Sequence, residues 1–339
     1  MEKNVSAPKF IAEISANHAG SFGRAKNLVK AAAFAGADLV KFQTFTADSM
    51  TLDLDKFKVS DDHSLWGSRR LYDLYKEAAT PFEWHKDLFE LARSLDIEPF
   101  STPFDFSAVD LLQSLDCSIY KIASLEVVDI PLIRYVAQTG KPIVISTGAS
   151  SLSEITEAVT EFRSFSKAKI TLLVCTSAYP ADPKDANLLR MKTLRDKFEC
   201  EVGLSDHTKG ITVSLAAVAL SANLIERHIN FDDGVSTLDS EFSLSPEEFS
   251  ELITKSKIIY DSLGSEKWTN AESENESKRL RRSLYIVKAV GKGDKVDFNN
   301  IKSIRPSGGL APKYFFDIQG KQFNQDYEAG TPVTFDMFD

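Results

Sequence analysis

Short apolar, β-branched runs alternate with longer stretches of helical periodicity along the first three-quarters of the chain. Strands are expected at 9–15 (KFIAEIS), 37–43 (ADLVKFQ), 98–103 (EPFSTP) and 118–124 (SIYKIAS). Four more follow at 142–147 (PIVIST), 169–177 (KITLLVCTS), 200–206 (CEVGLSD) and 224–230 (LIERHIN). Helical patterns fall near 24–36, 81–96, 105–115, 129–139, 152–165, 187–198, 212–221 and 246–263. Pro81, Pro131 and Pro246 suit first helical turns, where a missing N–H costs nothing. Strict alternation of strand and helix implies a parallel sheet, and eight repeats over about 260 residues imply a (β/α)₈ TIM barrel. A doubly wound open sheet is the alternative, but no Gly-x-Gly-x-x-Gly turn follows the first strand. The segment 44–80 is too long for an ordinary βα connection and reads as an insertion over the barrel mouth.

The texture changes near residue 265. Residues 266–282 (EKWTNAESENESKRLRR) are polar and without strand pattern, which reads as a linker. Short strands and turns follow, and Gly293-x-x-Val296-x-Phe298 recurs as Gly330-x-x-Val333-x-Phe335. The expected organisation is a barrel over 1–265, a linker over 266–282 and a small β-rich module with internal pseudo-symmetry over 283–339.

Net charge is −9, which argues against binding along a nucleic-acid backbone and leaves only local basic pockets for anions. No apolar run approaches the ~18 residues of a membrane span, and the N-terminus lacks the apolar core of a signal peptide. Cys117, Cys175 and Cys200 form no Cys-x-x-Cys pair, and their odd number argues against a disulfide framework. The expectation is a reduced, cytoplasmic compartment, with Cys175 a packing residue inside its strand.

A TIM barrel builds its site at the C-terminal ends of its strands. Those ends carry Glu13, Asn17 and His18; Lys41 and Gln43; Ser101 and Thr102; and Lys121, Ser124 and Glu126. They continue with Ser146 and Thr147; Ser177 and Tyr179; Ser205, Asp206 and His207; and Glu226, Arg227 and His228. Polar loops explain isolated serines. They explain less well lysines and a histidine inside apolar runs, because buried charge is costly unless partnered. Two lysines with several hydroxyls suit a ligand carrying phosphate and carboxylate, and no Walker loop points to a nucleotide. His207 and His228 end neighbouring strands, and two converging imidazoles can hold a divalent ion. Asp206 is either their supporting partner or a cap for the next helix.

Several separate stretches agree with one family in order and spacing: AEISANHAG (12–20), GADLVKFQT (36–44), STPFD (101–105), YKIAS with Glu126, and GKPIVISTGAS (140–150). CTSAYPA (175–181), VGLSDHTKG (202–210), IERHI (225–229) and RPSGGLAPK (305–313) continue the match. Together they resemble the sialic-acid synthase family over nearly the whole chain. The resemblance implies a TIM barrel followed by an antifreeze-protein-like (SAF) domain. It implies a transferase that condenses phosphoenolpyruvate with an amino-sugar aldose and water, releasing phosphate. It also implies a domain-swapped homodimer.

By motif, Lys41, Thr102, Lys121, Ser124, Ser146, Ser177 and Ser205 would bind phosphoenolpyruvate. His207 and His228 would hold Mn²⁺ or Mg²⁺. Gln43, Glu126, Tyr179 and Asp239 would face the sugar, with Arg305 reaching it from the partner's C-terminal domain. Glu13, Lys41, Lys121 and Glu126 are the catalytic candidates, Glu13 near the reacting centre.

LYDLYKEAATPFEWHKDLF (71–89), CTSAYPA and GLAPKYF (309–315) resemble the branch that makes pseudaminic acid from 2,4-diacetamido-2,4,6-trideoxy-L-altrose. Neuraminate synthases usually carry Asn where Ser177 stands. The chain departs from the family where Gly-Pro usually precedes Asp239, and at Ser307, which replaces a Gly. The alternatives are a neuraminate or legionaminate synthase, using N-acetylmannosamine or a diacetamido mannose isomer, and more remotely a Schiff-base sugar-acid aldolase through Lys41 or Lys121. Phe242, Tyr179 and Leu310 are candidate apolar walls for the sugar.

Overall fold

A computed structural model describes residues 6–59, 66–265 and 267–339. The chain divides into two compact units, Met1–Ser265 and Glu266–Asp339. In the first, eight strands pair in parallel and close into a barrel in sequence order. They are β1 (Lys9–Glu13), β2 (Leu39–Thr44), β3 (Glu98–Pro103), β4 (Tyr120–Ile122), β5 (Ile143–Ser146), β6 (Ile170–Cys175), β7 (Glu201–Asp206) and β8 (Leu224–His228). The strands are almost wholly buried, which is why they read as near-continuous apolar runs.

Alternation along each strand separates two environments. On β2, Phe42 points outward and stacks on Phe89 of the helix His85–Ser94, with ring centroids 5.8 Å apart. Lys41 therefore turns inward. Register places Glu13 opposite Lys41 on one side and His228 on the other, and Ser205 opposite Glu226. On β8, Glu226 and His228 share the interior face while Arg227 turns the other way, pairing with Asp206 at 2.6 Å.

Local sequence sets the helix boundaries. Ser151 and Ser245 open the helices Leu152–Phe165 and Pro246–Ser262 with capping boxes closed by Glu154 and Glu248. Pro131 and Pro246 occupy first turns as expected, whereas Pro81 precedes a short 3₁₀ turn, Phe82–Trp84. The helix expected from 187 begins at Arg190, because Asn187 adopts φ +46° and a right-handed helix cannot run through it. The strand expected to reach 124 stops at Ile122, and Ser124–Val128 turns as a 3₁₀ helix across the mouth. The insertion after β2 holds the helices Ala47–Met50 and Leu71–Ala78, and residues 60–65 lie outside the described ones. No described helix is long and apolar enough to cross a membrane.

The second unit has an antiparallel pair, β9 (Ser283–Ile286) and β10 (Ile301–Ile304). Its core includes Leu284, Ile286, Ile301 and Phe323. The two turn–strand repeats behave alike. Gly293 and Gly330 take φ +86° and +92°, Val296 and Val333 are buried, and Phe298 and Phe335 are exposed. The unit is less purely β than its pattern suggests. Asn275–Arg279, within the segment read as a linker, is helical, and Pro312 opens a turn that runs into the short helix Phe315–Ile318.

Candidate active site

A cavity of about 290 Å³ opens at the C-terminal ends of the barrel strands. Lys41, Lys121, Ser146, Ser205 and Glu226 line its polar part, with Ser124 and Glu126 beside them. His207, His228, Tyr179, Asp239 and Gln43 also face it. The sequence reading thus brought most of its candidates to one place. Three lie behind the wall. Glu13 is fully buried and forms an ion pair with Lys41, and Thr102 is buried and accepts from Lys41 Nζ at 3.3 Å. Ser177 Oγ is buried without a hydrogen-bond partner. Arg305 is an exposed residue of the second unit.

Two lysines and two carboxylates form the centre. Lys41 Nζ contacts Glu13 and lies 3.5 Å from Glu226 Oε1, which is 3.8 Å from Lys121 Nζ and accepts from Ser205 Oγ at 2.9 Å. Burial opposes the charge on Lys41, but Glu13 and Glu226 outweigh it and hold its ammonium above the ordinary lysine range. Lys121 has the long contact to Glu226 and a long hydrogen bond to the Ile122 carbonyl at 3.4 Å, too little to offset burial, so its affinity for a proton is lowered. Lys121 is therefore the under-compensated cation, and an anionic ligand would relieve it. Glu226 is held well below the usual carboxylate range: burial works against this, but Lys121, Lys41 and Ser205 prevail.

Hydroxyls gather beside the lysines. Ser146 Oγ and Ser177 Oγ are both buried and unpartnered, while Ser124 Oγ accepts the Gly148 N–H at 3.0 Å. Buried polar atoms without partners are rare in folded chains, so their concentration here marks a place built for a polar ligand. Gly148 keeps that space open, because a Cβ there would collide with Ser177 Oγ and come within 2.9 Å of Ser124 Oγ.

The imidazoles of His207 and His228 lie with ring centroids 5.4 Å apart. His207 Nδ1 sits 3.1 Å from the Thr176 carbonyl, which can only accept; that bond would put the proton on Nδ1 and leave Nε2 as a lone pair. His228 Nδ1 is buried, makes no hydrogen bond and lies 3.5 Å from Asp239 Oδ2. Among the described residues no three His, Cys, Asp or Glu side chains converge as a ligand set. The two imidazoles are nitrogen donors of a kind a divalent ion takes, and any further ligands would have to be oxygens from outside such a set. Asp206 is committed elsewhere: it accepts from Thr208 and Ser214 and pairs with Arg227. Asn17 ties the Ile229 carbonyl to Ser243, and His18 accepts from the Gly20 N–H, so both serve loops.

The sequence reading left some lining residues out of the site. Glu226 was among the polar residues noted on its strand but was given no role, although alternation puts it on the same face as His228, two positions away. Cys175, expected to pack, instead lines the cavity, with Sγ 3.9 Å from His207 Nδ1. Burial would raise its thiol, but His207 in its protonated form, with Ser124 and Lys121, outweighs that and brings it to about 7. Glu126 moves the other way: burial raises its carboxyl to about 7 against the pull of Lys121. Phe242 is packing, not wall; it is buried behind the histidines, 4.9 Å from the His228 ring. Leu310 packs on the core of its own unit.

The other part of the cavity is apolar. Met50, Val59, Trp66, Leu71 and Leu74 come from the insertion and Leu238 from the loop after β8. Trp66 stands 5.4 Å from the Tyr179 ring, which in turn stands 4.6 Å from the His207 ring. Leu71, Leu74, Tyr75 and Ala78 follow the i, i+3, i+4, i+7 spacing of the helix Leu71–Ala78, whereas Met50, Val59, Trp66 and Leu238 share no such period and meet that face only through tertiary folding.

The profile of the NeuB family matches residues 28–268, most of the barrel unit. The chain belongs to the NeuB family. It is 41% identical over 330 residues to the pseudaminic acid synthase of Helicobacter pylori, covering 97% of each chain. It is 35% identical to the N,N'-diacetyllegionaminic acid synthase of Campylobacter jejuni, covering 94% of this chain and 96% of that one. The crystal structure of the N-acetylneuraminic acid synthetase of Leptospira borgpetersenii superposes with a TM-score of 0.73 at 32% identity, covering 82% of this chain and 94% of the other. The near-complete coverage of the H. pylori relative carries this NeuB-family likeness through the second unit as well.

Proposed function

We propose that this NeuB-family chain is a pseudaminic acid synthase, condensing phosphoenolpyruvate with 2,4-diacetamido-2,4,6-trideoxy-L-altrose and water to give pseudaminic acid and phosphate. The observation that carries the reading is the two-ended cavity, with lysines and orphaned hydroxyls at one end and an apolar wall at the other. The 41% identity to pseudaminic acid synthases supports the choice of sugar.

Lys121, Lys41 and the hydroxyls of Ser124, Ser146 and Ser205 hold the phosphate and carboxylate, with Thr102 and Ser177 close behind. Glu13 positions Lys41 and keeps it charged. C3 of phosphoenolpyruvate bonds to the sugar's aldehyde carbon, whose oxygen takes a proton from Glu126, half protonated near neutral pH. Water adds at C2 and its proton restores Glu126; the resulting tetrahedral phosphate ester then loses phosphate by C–O cleavage, the C2 hydroxyl proton leaving with the phosphate to give the ketone. The lysines stabilise the departing charge. A Mn²⁺ or Mg²⁺ ion held by His207 and His228 would polarise the aldehyde oxygen as a Lewis acid. Gln43, Tyr179 and Asp239 orient the sugar. We further propose that the C-terminal unit is an SAF domain and that a second copy of the chain supplies Arg305, as a domain-swapped homodimer would.

Purified protein offered the altrose derivative, N-acetylmannosamine and the diacetamido mannose isomer should release phosphate with the highest kcat/KM on the altrose. A higher value for N-acetylmannosamine would mean a neuraminate synthase, and for the mannose isomer a legionaminate synthase. Chelation should abolish turnover and Mn²⁺ or Mg²⁺ restore it. His207→Ala and His228→Ala should each cost ~10²-fold or more, and each should bind less Mn²⁺ at equilibrium. Full activity of wild-type protein in excess chelator refutes the metal.

A further inference from the structure

We propose that Trp66, carried by the insertion after β2, is the residue that reads the C6 methyl group of the acceptor sugar. The inference rests on the condensation reading above and names the wall that sets its acceptor preference.

Trp66 lines the cavity, and its one polar group is already used: Nε1 donates to the Leu238 carbonyl at 3.2 Å. The indole therefore presents apolar surface to the cavity and no donor. Leu71 and Leu238 extend that surface, so a hydroxyl placed there would lose its water without gaining a partner. The bond to Leu238 also couples the insertion to the loop that ends in Asp239.

Position along the sugar follows from geometry. The reacting aldehyde carbon belongs at the His207 and His228 end. Five C–C bonds of about 1.5 Å in a staggered chain carry C6 about 6 Å from it. The Tyr179 ring lies 4.6 Å from that of His207, tilted by 48°, and Trp66 stands one ring further, 5.4 Å from Tyr179. The far end of an open-chain hexose held at the histidines thus reaches the Tyr179–Trp66 wall. A methyl group gains burial there, while a hydroxymethyl group pays desolvation.

The test compares the 6-deoxy altrose derivative with the same diacetamido sugar bearing a 6-hydroxyl, at saturating phosphoenolpyruvate. Wild-type protein should prefer the 6-deoxy sugar by up to about 10²-fold in kcat/KM, near the limit for apolar rejection of an added hydroxyl. Trp66→Gln should reduce the ratio at least about tenfold, mainly through acceptor KM, with KM for phosphoenolpyruvate unchanged. Trp66→Leu, which keeps the wall apolar, should retain most of the preference. Equal ratios in the two variants and wild type would overturn the role of Trp66 and leave the condensation reading standing. A wild-type protein without preference between the two sugars would overturn it as well. If the wild type turns over N-acetylmannosamine best, the acceptor assignment itself falls, a result visible before any variant is made.

Discussion

Glu126 shows how one buried side chain can set a pH response. Burial raises its carboxyl from the ordinary 4.5 to about 7, against the pull of Lys121. Between those values the unfolded chain releases the proton while the folded chain keeps it. The stability that neutral Glu126 contributes is therefore fully present below about 4.5 and is lost as pH rises through about 7. Thermal melts from pH 5 to 8 should show a steeper decline for wild type than for Glu126→Gln. Activity should follow the same group. If Glu126 donates the proton, kcat/KM falls as pH rises through about 7, and Glu126→Gln lowers kcat by ~10²-fold and removes that inflection. An unchanged inflection in the variant would assign it to another group. At this scale the sequence was informative about residue type and silent about partnership. Lys41, Lys121, His207 and His228 stood out because charge and imidazole are rare inside apolar runs. That Glu13 would spend itself on Lys41, and Asp206 on Arg227, depends on contacts no spacing reveals.

Strands and helices were legible because each repeats its period over enough residues to be counted. β3 runs over the expected 98–103, and the helix Leu152–Phe165 matches its expected 152–165. Errors fall where the backbone does something local: left-handed Asn187, or the turn at Ser124. The turn after β5 is such a place with chemical weight. Gly148→Ala puts a methyl group against Ser124 Oγ and Ser177 Oγ. Overpacking of this kind typically costs about 1–3 kcal/mol of stability, so the melting temperature should fall by a few degrees, and displacement of the two hydroxyls should raise KM for phosphoenolpyruvate about tenfold or more. Adding Ser177→Ala should recover part of the loss, because the hydroxyl that obstructs most is then gone. If Gly148→Ala leaves KM unaltered, the serine cluster does not bind that substrate.

For the whole molecule, the barrel could be foreseen from strict alternation of elements, and the boundary near 265 from a change in texture. The apolar wall could be foreseen only in part: 71, 74, 75 and 78 share one helix face, but 59, 66 and 238 have no common register with it and converge on it only after the insertion folds. Arg305 poses the remaining question at this scale. Arg305→Ala and Lys121→Ala, each with activity reduced by ~10²-fold or more, should regain partial activity when mixed, provided the arginine acts on a second copy. Absence of complementation in mixed dimers verified by mass would place its action within one chain, or outside catalysis.

The quartet of Lys41, Lys121, Glu13 and Glu226 sums to zero when all four groups are charged, inside a chain of net charge −9. The quartet itself therefore offers a distant anion no net attraction, and any long-range pull would have to come from other groups, such as the divalent ion and the Arg305 proposed above. Recognition by the quartet begins only once phosphate is close enough to compete with Glu226 for Lys121. Capture is then a matter of exchanging partners at short range, which favours ligands shaped to displace a carboxylate over those that merely carry charge.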